Sequence, residues 1–146
     1  SPGSWSQYIA RSVKRGRLVS IDIKNMDAID GSIQIKGDFT KLKCKEKIKG
    51  YFKSKVDVIV SDMAVNTTGI KNIDAIYTGE LAMEAMNFSK EILSNEGSFI
   101  SKIFLGPSFN EIITLGKKTF KEIKIYKPKS SRKESKESFI ICKKLR

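Results

Sequence analysis

Three acids stand at the ends of short apolar runs. Asp22 closes RLVSID, Asp38 follows SIQIKG, and Asp62 closes VDVIVSD. A lysine, Lys102, lies inside another such run, SFISKIFL. If the runs are parallel strands of an α/β sheet, their carboxyl ends are where ligands bind. A single acid there often only caps a strand–loop junction, whereas three in succession point to a site. Carboxylates in these places accept hydrogen bonds from hydroxyl and amino groups of a ligand. The chain has no histidine, which excludes His-based triads, His general bases and His metal ligands. Any acid–base chemistry falls to Asp, Glu, Lys, Tyr or water. The two cysteines, Cys44 and Cys142, are far apart and lack metal-type spacing, so they read as reduced thiols.

The elements that must hold these residues alternate between helix and strand. Residues 4–14 have a helical pattern with Ser4 or Ser6 as N-cap. Strands are expected over 17–22 and 32–37, then a Lys-rich amphipathic helix over 41–53 and the buried strand VDVIVSD. A loop with TTG turn chemistry follows over 63–73. Apolar positions at Ile76, Leu81, Met83, Met86, Phe88, Ile92 and Leu93 give a helix over 75–94, broken by SNEG. The remaining expectations are a strand over 98–105, a helix over 108–119, and the strands FKEIKIYK and SFIICKK joined by a polar, basic loop. This order implies an α/β fold with a mostly parallel sheet and one antiparallel strand near its edge. A length of 146 residues with 40% hydrophobic residues suits a single domain, 1–146, with a real core. No apolar run approaches the roughly 20 residues of a membrane span, and no signal-peptide core precedes the first helix. The expectation is a soluble, intracellular protein with no membrane partner.

Charge is concentrated. Residues 117–146 hold 12 basic and 3 acidic residues, or +9, and residues 41–55 hold 7 Lys and one Glu, or +6. The chain totals +12, so the remainder carries −3. Two basic regions suggest a polyanion, most simply nucleic acid, although a Lys run is also the ordinary dress of a solvated face.

The first residues, SPGSWSQ, read as the second half of a Gly-rich loop entering a helix, where backbone N–H groups approach a ligand. Asp22 then stands where Rossmann-like sites place an acid for ribose hydroxyls, and Asp38 could accept from an adenine amino group. The absence of G-x-G-x-x-G weighs against a nicotinamide-dependent oxidoreductase.

Taken in order, SPGSWSQ, D-x-x-x-M-D at 22–27, GDF at 37–39, SDMAVN at 61–66, GSFISKIF at 97–104 and KPKSSRKESKE at 127–137 resemble the FtsJ (RrmJ) family of ribosomal RNA ribose 2′-O-methyltransferases. The resemblance runs through the whole chain. It implies a Rossmann-like methyltransferase sheet with an antiparallel last strand, and S-adenosylmethionine as cofactor. It also implies a Lys-Asp-Lys-Glu catalytic tetrad, whose Asp falls on Asp62, second Lys on Lys102 and Glu on Glu137. Cofactor contacts fall on Gly3, Trp5, Asp22, Asp38 and Asp62. No metal is needed. The implied target is a uridine ribose of 23S ribosomal RNA in the assembled large subunit, and the implied enzyme is a cytoplasmic monomer. Related enzymes act on transfer RNA or messenger RNA caps.

Several residues have plainer readings beside these. Without the family pattern Lys102 is an edge lysine guarding against aggregation, Glu137 is charge balance for its basic neighbours, and Trp5, Met63, Met83 and Met86 are core. The sequence also departs from the pattern. The strand expected before SPG and the first tetrad Lys would both lie upstream of Ser1, so unpaired sheet edges and poor folding of the shorter chain are expected. A non-catalytic RNA-binding remnant is the alternative that this departure raises. Val65 replaces a usual Pro, and Ser4 a usual Gly.

Overall fold

The computed structural model describes residues 16–23, 31–63, 69–127 and 137–146. They belong to two compact units, Ser1–Ser54 and Lys55–Arg146. The expected helix over 4–14, the Gly-rich loop and Val65 lie outside the described residues.

In the first unit, β1 (Leu18–Asp22) and β2 (Ser32–Lys36) pair in parallel, from Leu18 opposite Ser32 to Asp22 opposite Lys36. The Ser20 and Ser32 hydroxyls meet across this pair at 3.0 Å, which satisfies two polar groups in a part-buried place. Helix α1 (Leu42–Gly50) follows β2. Its buried residues are Cys44 and Ile48, spaced i,i+4 on one narrow face, while its lysines remain on the outer sides. Lys47 and Lys49 occupy the last turn, where the helix dipole favours cations. The helix ends at Gly50, before the expected residue 53, because Tyr51 and Phe52 bond back to Ile48 and Lys49 in a closing turn.

The second unit runs β3 (Val56–Ser61), α2 (Lys71–Ile92), β4 (Leu93–Phe104), α3 (Phe109–Thr119), β5 (Phe120–Tyr126) and β6 (Glu137–Leu145). Its sheet has the order β3-β4-β6-β5. β3 and β4 are parallel, and β6 runs antiparallel to both β4 and β5. The mixed α/β methyltransferase-like sheet with an antiparallel last strand is thus the fold observed. One sheet face is buried along its two inner strands, β4 and β6. It holds Phe99, Ile103, Ile140 and Cys142, all at 0% exposure, with Phe99 stacked on Phe120 at 6.1 Å between ring centres.

Two further boundaries in the second unit differ clearly from the sequence reading. Helix α2 starts at Lys71, inside the expected loop. Its buried side is Thr78, Gly79, Ala82, Ala85, Met86, Phe88 and Ser89, whereas Ile76 and Tyr77 are exposed. Small residues mark the packing side because a neighbour comes close: a Cβ on Gly79 would lie 2.5 Å from Ser108 Cβ. Strand β4 starts at Leu93, five residues before the expected 98. Leu93 pairs with Val56 and Ser98 with Val58, so LSNEG is an irregular insertion in the ladder and not a loop. There a Cβ on Gly97 would lie 2.7 Å from Leu93 Cγ, which only glycine avoids.

Candidate active site

The register of the second unit decides which charged groups meet. Ser61 lies opposite Ser101 on the parallel neighbours β3 and β4. One residue further along each strand brings Asp62 beside Lys102. β6 is antiparallel to β4, so it begins at the end where β3 and β4 finish, and its first residue, Glu137, is opposite Phe104. Two carboxyl ends and one amino end of strands therefore converge on one lysine.

The contacts follow from that placement. Lys102 Nζ is 2.8 Å from Asp62 Oδ1 and 4.0 Å from Glu137 Oε1. The lysine side chain is 19% exposed, Asp62 31% and Glu137 47%, so the group is open on the side of Glu137. Asp62 Oδ1 is itself buried and accepts no aligned hydrogen bond, despite the close ammonium. The contact is thus one of charge with charge, and a buried acceptor stays available to a further donor. Lys102 is not an edge lysine, since β4 lies between β3 and β6. Burying a lysine in a central strand is unfavourable unless it is paired, and here it is paired twice. Of the methionines, Met86 is fully buried, while Met63 and Met83 are half-buried.

In the first unit the strand ends carry the other two acids. Asp22 is the last residue of β1, and its carbonyl accepts from Gly37 N at 2.9 Å. Asp38 follows two residues after β2, at the same end of the pair. Asp38 Oδ1 accepts from Thr40 N at 2.9 Å and from Thr40 Oγ1 at 2.6 Å. The Thr40 hydroxyl, then its N–H, hold the Asp38 carboxyl below the usual value of 3.8, with a smaller contribution from Lys41. One oxygen is fixed by Thr40. Thr40 is a supporting residue that the sequence reading passed over. Its signal was present as D-x-T, the spacing of an Asx turn. Gly3 and Trp5 lie outside the described residues.

The model of FtsJ-like methyltransferases matches residues 1–145. The chain belongs to the FtsJ-like methyltransferase family. It is 79% identical over 146 residues to a Pelagibacter ubique protein named ribosomal RNA large subunit methyltransferase E, and it spans 72% of that relative's length. A Variovorax paradoxus protein of the same name is 34% identical, with 97% of this chain and 68% of the relative covered. Among solved structures, a Plasmodium falciparum protein provisionally described as a ribosomal RNA methyltransferase superposes with a TM-score of 0.84 at 31% identity, covering 99% of this chain and 81% of that one. As an FtsJ-like methyltransferase the chain is an enzyme of methyl transfer, and the carboxylate-paired lysine is its candidate reacting centre.

Proposed function

We propose that this chain carries the catalytic domain of an S-adenosylmethionine-dependent 2′-O-methyltransferase acting on a uridine ribose of 23S ribosomal RNA in the large subunit. The observation that carries the reading is the convergence of Asp62, Lys102 and Glu137 at one end of the sheet. The family model runs through both compact units, which supports reading residues 1–146 as one domain. The relatives' name supports the ribosomal substrate. Among the described residues no helix is long and apolar enough to cross a membrane, and the cytoplasm is the compartment where ribosomal RNA is met in a bacterium. A monomer suffices, because the three charged groups come from one chain.

The residues present fit the cofactor. Asp38 has a carboxylate fixed by Thr40, suited to an adenine amino group. Asp22, at the end of β1, suits ribose hydroxyls. Asp62 offers a buried acceptor without a hydrogen bond, and Gly3 and Trp5 complete the set on the family pattern. When bound, S-adenosylmethionine supplies a methyl group on a positively charged sulfur. The substrate's 2′-hydroxyl is a weak nucleophile, so the protein must orient its oxygen and manage its proton. Lys102 Nζ is the group for both tasks. Asp62 anchors it at 2.8 Å and Glu137 flanks it at 4.0 Å, so that the ammonium would orient the 2′-oxygen and stabilise the negative charge that develops there as the hydroxyl proton is lost to water.

Transfer of labelled methyl from S-adenosylmethionine to unmodified large ribosomal subunits tests this reading. Label should enter the RNA of unmodified subunits and not of subunits already methylated. Binding of RNA with no label in any subunit would leave a non-catalytic RNA-binding remnant instead.

A further inference from the structure

One side of the second unit's sheet is buried along β4 and β6, and the other carries the reacting lysine. Along β4 burial alternates, with Phe99, Ser101 and Ile103 buried and Ile100, Lys102 and Phe104 less so. β6 alternates likewise, with Ser138, Ile140 and Cys142 buried and Phe139 and Ile141 less so. Residues opposite each other in a ladder share a face. Lys102 is opposite Phe139, and Phe139 is opposite Tyr126 on β5. The three therefore form a row across the less buried face, from the reacting lysine to the sheet edge. Two interstrand steps separate Lys102 from Tyr126, about 10 Å between backbones. Tyr126 is 48% exposed. The next row on this face is Ile100, Ile141 and Lys124, and Lys124 is exposed.

A lone exposed tyrosine is ordinary on a protein surface. Its place in a row with Lys102, flanked by a cation on the same face, is not. We infer that Tyr126 is a positioning residue that stacks on the nucleobase neighbouring the methylated nucleoside, with Phe139 between it and the reacting centre and Lys124 on the adjoining phosphate. The inference rests on the methyltransferase reading for where the target ribose lies. Single-stranded RNA is held in this way, by bases splayed on aromatic rings and phosphates on lysines. Charge selects the occupant: residues 117–146, which include β5 and β6, hold 12 basic and 3 acidic residues. An apolar protein partner would gain nothing from that excess.

Two measurements on the chain with Tyr126→Ala and Tyr126→Phe test the inference. In steady-state transfer to unmodified large subunits, Tyr126→Ala should raise KM for the subunit by about 5- to 150-fold, the range of one base–aromatic stack. The kcat and the affinity for S-adenosylmethionine should not move, and Tyr126→Phe should restore KM. In the second measurement, a short single-stranded RNA with 2-aminopurine beside a uridine should lose fluorescence on binding the unsubstituted protein, and should keep it with Tyr126→Ala. Unchanged KM and unchanged quenching in Tyr126→Ala would overturn the stacking role while leaving the enzyme intact. Quenching that depends on Tyr126 without any methyl transfer would keep the stack and sink the methyltransferase reading. Loss of a concentration-dependent dimer in Tyr126→Ala, with RNA affinity unaltered, would assign the surface to a second copy and overturn the inference.

Discussion

Replacing Lys102 by methionine keeps an unbranched side chain, shorter by one atom, and removes its charge. At 2.8 Å the attraction to Asp62 is about 6 kcal/mol for an effective dielectric constant of about 20. Most of that is offset by the desolvation of both groups, which are neither fully buried nor fully exposed. The net loss of stability lies between the about 0–1 kcal/mol of surface pairs and the about 3–5 kcal/mol of broken buried ones, so about 2 kcal/mol. For a domain of this size the melting temperature should fall by about 4–8 °C. Methyl transfer should fall far more, by about 100- to 10,000-fold, the usual range for a lost proton-handling group. A second variant separates the two effects. Lys102→Met combined with Asp62→Asn removes the charges of the close pair and should regain much of the stability, because the less exposed of the two carboxylate partners is no longer left charged. It should regain no transfer. Thermal melting and transfer kinetics on both variants decide the matter. Transfer by Lys102→Met within about tenfold of the unsubstituted rate, below the range for a proton-handling group, would refute the reasoning and leave the lysine as a structural pair.

Further outcomes follow from the same geometry. Asp38→Ala should weaken S-adenosylmethionine binding by calorimetry. In the unsubstituted protein the Thr40 hydrogen bonds hold Asp38 below 3.8, so its contribution should be complete above that pH and lost only as pH falls through the lowered value. Glu137→Gln should slow transfer by about tenfold with cofactor affinity unchanged, since it flanks Nζ at 4.0 Å and leaves the Asp62 contact in place. Gly79→Ala should destabilise by about 1–3 kcal/mol in denaturant titration, because its Cβ would meet Ser108 at 2.5 Å. Burial pushes the Cys142 thiol up to about 12 from 9.0. Stability from this group should thus be intact below pH 9 and be lost progressively towards pH 12, and the thiol should resist alkylation until the protein unfolds.

The acids at strand ends were legible because apolar runs that stop at a carboxylate mark the ligand side of an α/β sheet. The motif order carried the rest of the site, including Glu137, which composition alone leaves as charge balance. The packing side of α2 was not legible, because small residues do the burying there and a count of large apolar residues selected the exposed Ile76. The early start of β4 was hidden for a similar reason. SNEG has the chemistry of a loop, and only pairing of Leu93 with Val56 holds it in the ladder. Central burial of Lys102 also depends on strand order, which places β6 and not β5 beside β4.

The most direct test of the central claim is to locate the transferred methyl on the RNA. Unmodified large subunits are incubated with labelled S-adenosylmethionine and the protein, and the labelled nucleotide is isolated. The account predicts one uridine of 23S RNA bearing the label on its ribose 2′-oxygen, seen as resistance of that linkage to alkali, and no label with Lys102→Met. Label on a base, or label that survives Lys102→Met undiminished, would contradict it.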